Sequence, residues 1–455
     1  MISVQEIVSV TGAVPLSLGT ETFSGITTDS RSAKEGELFI ALCGEKFDGH
    51  DYCLTAFAKG AAGILISKNV SDFPVGKTVL QVDDTLKAFQ MIAKAHRKYF
   101  DRLKIFAVTG SNGKTSTKDL LAACLGAKYN VQKTEGNFNN EIGLPKTLLK
   151  IQEDTDIAVV EMGMRGLGQI AELCQIAEPD SGIITNVGEA HIEILGSIDN
   201  IAKAKSELTE ALPKNGFAVL NGDDARTRAA AAKTVAQRVF FGLGEDCDYR
   251  GSNIVSSGFD ISFVCTEKSS GKSVKVCLQL IGEHNVYNAL AAIAGAACYG
   301  VTLEESAAAL ATARLTGSRQ EIIYIGDLTF INDSYNASPA SMEAALKTLA
   351  EAKKISKGRT IAVLSDMQEL GEYSAAAHRR VGALAAEYGV DYVLTYGSEA
   401  ALISETAAAR GVSVCHCSDR QEASDKLRAL VSAGDVILLK GSHAMQVGKL
   451  LEIFK

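Results

Sequence analysis

The chain has 455 residues, of which 46% are hydrophobic and 22% charged. At about 150 residues per domain, this length predicts roughly three domains with buried cores, and the composition excludes a disordered or fibrous chain. The net charge of −8 provides no global basic field, so we expect no binding to nucleic acid, and any phosphate must be held locally.

Short alternating runs occupy the N-terminal part of the chain, over residues 23–84. The runs GELFIAL, AGILIS and TVLQVDD are separated by glycine and aspartate, a pattern typical of strands joined by turns. Residues 85–100 have the apolar spacing of a helix. The pattern predicts a small mixed α/β domain over residues 1–100.

A new unit begins at Lys104. A strand-like run (KIFAVT), a glycine loop (GSNGKT) and a helical run (TSTKDLLAACLG) follow one another there. Further strand-like runs at 157–162 and 182–186 alternate with helical segments. This order predicts a central phosphate-binding α/β domain over residues 101–316.

Beyond Gly317, strands and helices alternate regularly. The runs TIAVLSDM, DYVLTYG, VSVCHC and DVILLKG are each followed by a helical segment. Right-handed crossovers would bring the loops that hold Asp366 and Lys440 to one edge of a parallel sheet. The pattern predicts a Rossmann-like C-terminal domain over residues 317–455, and the fold class of the whole chain is α/β with three domains.

Cysteine usage and hydropathy indicate a reduced, cytoplasmic protein. The ten cysteines follow no repeated spacing, and the N-terminal segment lacks the basic region of an export signal. The longest nearly apolar run, 289–301, is too short for a membrane span, so we expect no stable membrane association. Cys415 and Cys417 could form half of a zinc site, but no second pair follows, and buried thiols in a strand are the favoured interpretation.

The segment TGSNGKT, from Thr109 to Thr115, carries the strongest chemical signal. Its glycines let backbone N–H groups surround phosphate oxygens, Lys114 supplies a positive charge, and Thr115 offers a hydroxyl to Mg²⁺. Val108 stands where the common phosphate-loop pattern has glycine, so the match is to a shortened form. An incidental glycine turn would not explain why GKT lies between a strand and a helix, and the loop therefore predicts ATP binding.

Three residues downstream of the loop differ in how much the sequence says about them. Glu161 ends an apolar strand, where a carboxylate is unfavourable unless it faces a ligand such as the Mg²⁺ of the loop. His191 follows a buried-type strand and is expected at the same edge of the sheet, although a lone histidine there is commonly structural. Lys205, like Lys203, flanks the apolar seam of a helix, and composition alone describes both as solvated.

Seven motifs, ordered along the whole chain, resemble those of the Mur ligase family. They are TGSNGKT, the EMG strand end, NVGEAHIE, AKAKSE, GEHNVYNAL, GSRQE and DSYNASP. Within the family the chain is most similar to members that add D-alanyl-D-alanine to UDP-N-acetylmuramoyl-tripeptide. That similarity rests on GNFNNEIGLP (136–145), DSYNASPASM (333–342), LSDMQELG (364–371) and KGSHAM (440–445). The resemblance implies an N-terminal UDP-substrate domain, a central ATPase and a Rossmann-like C-terminal domain.

The resemblance also implies roles for individual residues. Lys205 matches a family lysine that carries a carbamate made from CO₂. With Glu161 and His191 it would hold a second Mg²⁺, and Lys114 completes the implied catalytic set. The implied ATP-binding residues are Thr109, Gly110, Ser111, Asn112, Gly113, Lys114, Thr115 and Ser116 of the loop, Asn288 against adenine, Arg319 at the phosphates and Asp333 near the ribose. The implied metal ligands are Thr115, Glu161, His191 and Lys205.

The implied substrate contacts lie in three short polar segments. Thr28, Asp29, Ser30 and Arg31 resemble a uridine-nucleotide turn, Asn137, Asn139 and Asn140 a loop facing the UDP-sugar peptide, and Tyr335, Asn336 and Ser338 the dipeptide side. Plain turns and polar helix positions are the rival interpretation of each segment.

The implied reaction is ATP-dependent amide-bond formation in peptidoglycan precursor synthesis. ATP would activate the tripeptide carboxylate as an acyl phosphate, which the amine of D-alanyl-D-alanine attacks, and we expect the protein to act as a monomer. A folylpolyglutamate synthetase-like ligase is one alternative, but about 100 residues precede the loop here, room for a separate UDP-substrate domain. A ligase that adds a single amino acid would have another motif in place of DSYNASPASM. A nucleotide switch without ligase chemistry would not need Glu161, His191 and Lys205 together.

Overall fold

The computed structural model describes residues 2–44, 47–189, 192–354, 356 and 358–454. The chain divides into two compact units. Unit 1 comprises Met1–Leu103, Asn137–Ala158 and Glu172–Ala177, and unit 2 comprises Lys104–Gly136, Val159–Ala171 and Glu178–Lys455. The division into three domains at residues 100 and 316 remains a prediction. No helix among the described residues is long and apolar enough to cross a membrane.

The first 103 residues contribute the sheets of unit 1. Their elements are β1 (Ile2–Ser3), α1 (Val4–Thr11), β2 (Val14–Ser17), β3 (Thr22–Phe23), β4 (Ile26–Thr27), β5 (Leu38–Ile40), α2 (Cys53–Ala58), β6 (Gly63–Ile66), β7 (Thr78–Gln81) and α3 (Thr85–Lys98). Within the described residues they form a five-stranded sheet in the order β2-β7-β6-β5-β4 and a β1-β3 pair. Strands β4 to β7 are parallel, and β2 runs antiparallel to β7.

Helices cover both faces of the five-stranded sheet because its central strands are buried on both sides. Leu38 and Ile40 of β5 pack in one core cluster with Phe89 of α3. Phe39, between them in sequence, points to the opposite face and packs with Phe57 of α2. The predicted helix at 85–100 is present as α3, and Asp84 caps its first turn by accepting from the N–H groups of residues 86 and 87.

The central part of the chain builds a long mixed sheet. Its elements are β8 (Lys104–Thr109), α4 (Lys114–Leu125), β9 (Val131–Lys133), α5 (Gly143–Leu148), β10 (Ile157–Glu161), α6 (Gln169–Ala177), β11 (Ser181–Ile184), α7 (Ile192–Leu195), α8 (Ile198–Ala211), β12 (Phe217–Asn221), α9 (Ala225–Ala230), β13 (Gln237–Gly242), β14 (Tyr249–Ser257), β15 (Asp260–Glu267), β16 (Ser273–Leu278), α10 (His284–Ala297) and α11 (Leu303–Thr312). In the described part of the chain the strand order is β16-β15-β14-β13-β12-β11-β8-β10-β9. Strand β8 is parallel to β11, so the loops after both strands emerge at one edge.

From residue 360 onward the C-terminal part alternates strand and helix as the sequence predicts, whereas the antiparallel strand pair at 321–332 and the helix at 339–353 were not predicted. Its elements are β17 (Glu321–Ile325), β18 (Leu328–Asn332), α12 (Pro339–Lys353), β19 (Thr360–Ser365), α13 (Ser374–Glu387), β20 (Tyr392–Tyr396), α14 (Ala401–Ala408), β21 (Ser413–Cys417), α15 (Arg420–Leu430) and β22 (Val436–Lys440). The described strands lie in the order β17-β18-β22-β19-β20-β21, and all except β17 are parallel. Because Leu364 pairs with Lys440, the loops holding Asp366 and Lys440 leave the same edge of the sheet.

The last helix differs from an ordinary α-helix. Residues Val447–Phe454 form a 3₁₀ helix. Val447 and Leu450, three residues apart, both pack into the core cluster beneath the sheet. The three-residue repeat of a 3₁₀ helix aligns these two positions on one side, and Leu451 is buried beside them.

Candidate functional site

The loop between β8 and α4 has a backbone that only glycine can adopt at two positions. Gly110 has φ +151°, and a Cβ there would lie 1.8 Å from the hydroxyl oxygen of Thr185. Gly113, the residue before α4, has φ +79°, and a Cβ there would lie 2.3 Å from Oδ1 of Asn288. No side chain caps the start of α4. Its first N–H groups and the helix dipole therefore favour an anion at this point.

Lys114 lies at the centre of this loop. Its Nζ donates to the carbonyl oxygens of Gly110 at 2.8 Å and Ser111 at 3.2 Å. Burial, and secondarily the charge of Arg319, lower the pKa of Lys114, while the carboxylate of Glu161 opposes this shift. The ammonium is held within the turn, where it can meet a phosphate that the backbone N–H groups bind.

A second loop, which follows β11, braces the phosphate loop. The N–H of Asn112 donates to Oδ1 of Asn186 at 3.0 Å, and Nδ2 of Asn186 donates to the Asn112 carbonyl at 3.0 Å. Thr185 donates its hydroxyl to the same carbonyl at 2.6 Å, and the hydroxyl of Ser111 donates to the Gly188 carbonyl at 3.0 Å. Sequence reasoning used this TNVGE segment only to place His191 and missed its bracing role, although the asparagine after a buried strand was a usable signal.

Glu161 ends β10 beside the first turn of α4 and is only 2% exposed. The hydroxyl of Thr115 donates to Oε2 of Glu161 at 2.7 Å. The N–H of Glu161 donates to the hydroxyl of Thr134 at 3.0 Å, which fixes the end of the strand. A carboxylate and a hydroxyl in contact are oxygen donors of the kind that Mg²⁺ takes. His191, the third residue predicted for this edge, lies outside the described residues.

Lys205 is buried in α8, with 2% exposure, whereas Lys203 is exposed. The expectation from composition that both are solvated is therefore wrong for Lys205, because its position turns inward beside Ala204 and Leu208. Within the described chain its ammonium makes no hydrogen bond or ion pair. Burial, and secondarily the charge of Lys114, hold its pKa well below the ordinary value of 10.5. An unpaired buried lysine of this kind favours the neutral amine.

Glu207, two residues beyond Lys205, fixes the position of α8. Its carboxylate accepts from the N–H of Gly168 at 2.7 Å and from the N–H of Ala171 at 3.0 Å. The final glutamate of the AKAKSE motif thus satisfies two donors at the start of α6. Sequence reasoning quoted this glutamate within the motif but did not predict this function.

A chain of buried amides leads away from the loop to the start of the C-terminal part. Oδ1 of Asn288 accepts from the Thr117 hydroxyl at 3.2 Å, and Nδ2 of Asn288 donates to Oδ1 of Asn285 at 3.0 Å. Asn285 in turn donates to Oε1 of Gln320 at 2.7 Å. Asn288, which was predicted to contact adenine, therefore lies on α10 and is buried against α4. Sequence reasoning missed the hydrogen-bonded residues Asn285 and Gln320.

Arg319 stacks its guanidinium over the ring of Tyr335, with 3.9 Å between Cζ and the ring centroid. Its Nε is buried and makes no hydrogen bond in the described structure. Stacking on an aromatic ring orients a guanidinium while leaving its N–H edge available to an anion. This arrangement suits an arginine that binds phosphate.

The DSYNASP segment contacts both the C-terminal sheet and the phosphate loop. Lys440, 2% exposed, donates to Asp333 at 2.5 Å and to the carbonyl of Asn336 at 3.1 Å. The hydroxyl of Ser338, which caps α12, donates to Oδ1 of Asn112 at 3.1 Å. Among the described residues, unit 2 therefore contains the predicted phosphate-loop and ATP residues and the predicted metal ligands Thr115, Glu161 and Lys205, together with Tyr335 and Ser338.

The remaining predicted substrate residues lie in unit 1. Asp29 accepts from Nε of Arg31 at 2.9 Å and from Nη2 at 2.7 Å, and it caps the 3₁₀ turn Ser30–Ser32. The hydrogen bonds from Arg31, with a smaller contribution from the charge of Lys146, lower the pKa of Asp29 to about 2. The TDSR segment, which begins at Thr28, is therefore an ordered turn in which the side chain of Asp29 is ionised at neutral pH.

The asparagine-rich loop also belongs to unit 1. Asn140 accepts from the N–H of Gly143 at 2.8 Å at the start of α5. The N–H of Asn139 donates to the carbonyl of Asn137 at 2.7 Å, which closes a tight turn. Lys146 of α5 lies over the ring of Phe138, 5.5 Å from its centroid. Since the same Lys146 influences Asp29, unit 1 places the two predicted substrate segments near one another.

One other group of potential metal ligands occurs among the described residues, formed by Cys43, Asp48 and His50. Nε2 of His50 accepts from the N–H of Ser67 at 2.9 Å, so the neutral ring carries its proton on Nδ1. That Nδ1 contacts Asp48 at 2.6 Å, and Lys68 also pairs with this carboxylate. The cluster is consequently a satisfied hydrogen-bond network, which disfavours a metal there. Cys415 and Cys417 are free thiols of β21; Cys417 is buried as predicted, whereas Cys415 is only half-buried.

Comparisons with known proteins match the chain along its length. Three family models fit it: Mur ligase family, catalytic domain, over residues 22–97; Mur ligase middle domain, over 108–296; and Mur ligase, glutamate ligase domain, over 318–443. The UDP-N-acetylmuramoyl-tripeptide--D-alanyl-D-alanine ligase of Bacillus subtilis is 40% identical over 95% of this chain and 92% of that relative.

Solved structures of other proteins also superpose on nearly the whole chain. MurF from Acinetobacter baumannii is 30% identical and superposes with a TM-score of 0.90 over 100% of this chain and 98% of that one. MurF ligase from Thermotoga maritima, in complex with ADP, is 28% identical with a TM-score of 0.82 over 94% and 96% of the two chains. These matches confirm the three-domain α/β fold. The chain belongs to the Mur ligase family.

Proposed function

We propose that this protein joins D-alanyl-D-alanine to the terminal carboxylate of UDP-N-acetylmuramoyl-tripeptide, with conversion of ATP to ADP and phosphate. The observation that carries the proposal is the 40% identity, over nearly the whole chain, to a relative of that name. The geometry around Lys114, Thr115 and Glu161 supports it, because the reaction begins at a nucleotide phosphate. We further propose that the protein acts in the cytoplasm as a monomer.

The phosphate-transfer step has residues to serve it. The loop N–H groups, Lys114 and Arg319 hold the ATP phosphates and offset their negative charge. The tripeptide carboxylate oxygen attacks the γ-phosphorus and ADP departs with the electrons of the broken P–O bond. The amine of the dipeptide then attacks the acyl carbon, phosphate leaves with the electrons of the broken C–O bond, and the nitrogen loses a proton to solvent, so that an amide remains.

The donor set at the loop fits Mg²⁺. Thr115 and Glu161 would hold the Mg²⁺ of the loop, which would supply positive charge that offsets the phosphate charge. Glu161, His191 and the carbamate on Lys205 would hold a second Mg²⁺. Lys205, whose burial favours the neutral amine, is proposed to react through Nζ with CO₂. An N–C bond forms, one proton is released, and the product is a carbamate. That reaction replaces an unpaired buried amine with an anion, which suits a position close to Lys114 and a cation.

Two segments of unit 1 are proposed to bind the other substrate. Asp29 and Arg31 would contact the uridine nucleotide, and the loop from Asn137 to Asn140 would face the sugar and peptide. Tyr335, Asn336 and Ser338 would line the dipeptide side. Asp333 is proposed to lie near the ribose, at the edge where Lys440 pairs with it.

The direct test measures phosphate release and product mass together. Purified protein is incubated with ATP, Mg²⁺ and UDP-N-acetylmuramoyl-tripeptide, with and without D-alanyl-D-alanine. We expect phosphate release and a product heavier by one dipeptide less one water only when the dipeptide is present. Turnover that is independent of the dipeptide, or that occurs with a single amino acid or a folate instead, would contradict the proposed substrate.

A further inference from the structure

A buried aspartate in α4 holds the segment that leads into the C-terminal sheet. Asp119 lies five residues beyond Lys114, and its side chain is fully buried. Its Oδ2 accepts from the N–H of Thr316 at 2.8 Å and from the Thr316 hydroxyl at 2.7 Å. Its Oδ1 accepts from Nζ of Lys133 at 2.7 Å, and Lys118 lies 3.4 Å away. The carboxylate thus joins the helix after the phosphate loop to a residue nearly 200 positions later.

The charges around Asp119 keep it an anion. Burial acts to raise the pKa of this carboxyl, but the charge of Lys118 and the hydrogen bonds from Lys133 and Thr316 outweigh burial, so the pKa is lowered. The same cluster extends toward the metal ligands, because Lys118 donates to the carbonyl of Thr134 at 2.7 Å. Thr134 in turn accepts from the N–H of Glu161. The hydrogen-bond cluster around Asp119 is therefore connected, through Lys118 and Thr134, to Glu161 beside the phosphate loop.

The segment anchored by Asp119 is strained. Between α11 and β17, Gly317, Ser318 and Gln320 have φ values of +68°, +26° and +51°. Left-handed backbone at two non-glycine residues is unfavourable and persists only where neighbouring contacts enforce it. Thr316 is held by Asp119 at one end of the segment, and Gln320 is held by Asn285 at the other.

Arg319 lies between these two anchors. Its ring partner Tyr335 sets the plane of the guanidinium. Burial is the main cause of the lowered pKa of Lys114, and the charge of Arg319 adds a smaller contribution in the same direction. We propose that Asp119 is a positioning residue: through Thr316 it holds the strained segment that presents Arg319 to nucleotide phosphate. This inference rests on the proposed role of Arg319 in ATP binding, and it adds a residue that contacts no ligand itself.

The test measures nucleotide affinity, which does not depend on the identity of the dipeptide. Thr316→Val removes the hydroxyl donor and keeps the N–H bond. Because a hydrogen bond to a charged group contributes strongly to holding the segment, we expect the Kd for Mg²⁺-ADP and the KM for ATP to rise about tenfold. The KM for D-alanyl-D-alanine should not change. Thr316→Ser keeps the hydroxyl and should restore both values.

Another threonine in the chain provides a matched control, because it also donates both its N–H and its hydroxyl to one oxygen of an aspartate. Thr360 donates its N–H and its hydroxyl to one oxygen of Asp391, both at 2.9 Å, as Thr316 does to Asp119. Thr360→Val removes an equivalent hydroxyl bond at the start of β19, and we expect nucleotide affinity to stay at the wild-type level. Equal weakening in both variants would mean a general loss of stability and would overturn the inference.

A double-mutant cycle separates positioning from simple destabilisation. If Thr316 acts through Arg319, then Thr316→Val should weaken Mg²⁺-ADP binding no further in an Arg319→Met background. Additive effects of the two substitutions would refute action through Arg319, as would wild-type affinity in Thr316→Val. If wild-type protein binds Mg²⁺-ADP but ligates no dipeptide, the proposed substrate fails, while the cycle still decides whether the contact of Thr316 with Asp119 acts through Arg319.

Discussion

The buried lysine of α8 shows how position changes the chemistry of a side chain. Lys203 and Lys205 are two residues apart, yet only Lys205 is buried, at 2% exposure. Burial and the charge of Lys114 lower its pKa, so the neutral amine, which is the form that reacts with CO₂, becomes accessible nearer to neutral pH. The sequence placed both lysines beside an apolar seam but could not say which would be enclosed, because enclosure depends on packing between distant segments.

Replacing Lys205 with methionine separates stability from activity. We expect Lys205→Met to lower ligase turnover at least about 100-fold, because the proposed carbamate cannot form. We expect no loss of thermal stability, because an unpaired buried amine is replaced by an apolar side chain of similar length. Thermal unfolding and steady-state kinetics measure the two effects, and Lys203→Met is the control. Unchanged turnover of Lys205→Met, with and without bicarbonate, would exclude the carbamate.

The lowered pKa of Lys205 also predicts how stability varies with pH. In the folded protein the pKa lies below the ordinary value of 10.5, so the unfolded chain binds a proton more readily. In bicarbonate-free buffer, this residue therefore makes the free energy of unfolding increase as pH rises through the interval below 10.5. Denaturant titrations across that interval should show a steeper increase for wild type than for Lys205→Met. Identical slopes would contradict the lowered pKa.

Substitution of Lys114, the lysine of the phosphate loop, is expected to reduce ATP-dependent activity. Lys114→Ala removes the cation that the loop carbonyls hold, and we expect ATP-dependent phosphate release to fall at least about 100-fold. The measurement is phosphate release at saturating tripeptide and dipeptide. Lys203→Ala is the matched control for the loss of a lysine. Retained turnover in Lys114→Ala would show that ATP is bound elsewhere.

At the scale of elements, the strand, loop and helix around GSNGKT follow closely from the sequence. Hydrophobic run length, glycine placement and helical spacing are local signals, and β8 and α4 occur where they predict. The loop after β11 that braces Asn112 was not foreseen, because its hydrogen bonds with Asn112 join residues more than 70 positions apart. The predicted last helix is present, but the sequence did not distinguish its 3₁₀ form from an α-helix, because burial of Val447 and Leu450 depends on the sheet against which they pack.

The contact between the two loops predicts the effect of one added methyl group. Gly110→Ala would place a Cβ 1.8 Å from the hydroxyl oxygen of Thr185, so either the phosphate loop or the loop after β11 must move. We expect the affinity for Mg²⁺-ADP to fall at least about 100-fold, as measured by calorimetric titration. Gly271→Ala is the control, because Gly271 also has positive φ but no atom lies within 4 Å of the added Cβ. Equal losses in both variants would attribute the effect to backbone strain alone.

At the scale of the whole molecule, the candidate residues are distributed between two compact units. The phosphate loop, Glu161, Lys205 and Arg319 belong to unit 2, whereas the TDSR turn and the loop from Asn137 to Asn140 belong to unit 1. The sequence predicted an α/β chain with phosphate chemistry in its centre. It did not predict that residues 137–158 join the N-terminal part, because that assignment depends on contacts between segments that are remote in sequence.

This distribution predicts that different ligands stabilise different units. Mg²⁺-ADP at about 100 times its Kd should add about 2.7 kcal/mol to the unfolding free energy of the unit that contains the loop. UDP-N-acetylmuramoyl-tripeptide should stabilise the unit that contains Asp29. Differential scanning calorimetry with each ligand alone, and with EDTA as the control for Mg²⁺, tests this expectation. If the nucleotide shifted only the transition assigned to unit 1, the proposed nucleotide site would be wrong.

The three separate segments of unit 1 have a consequence for synthesis on the ribosome. Ile142 and Leu149 pack against the core that contains Ile7 and Phe89, yet they follow the whole β8 and α4 segment in the chain. A nascent chain that has released only its first 103 residues therefore lacks part of the apolar cover of that core. We therefore expect unit 1 to complete its folding only after the segment around α5 has emerged, and until then part of its core is exposed apolar surface.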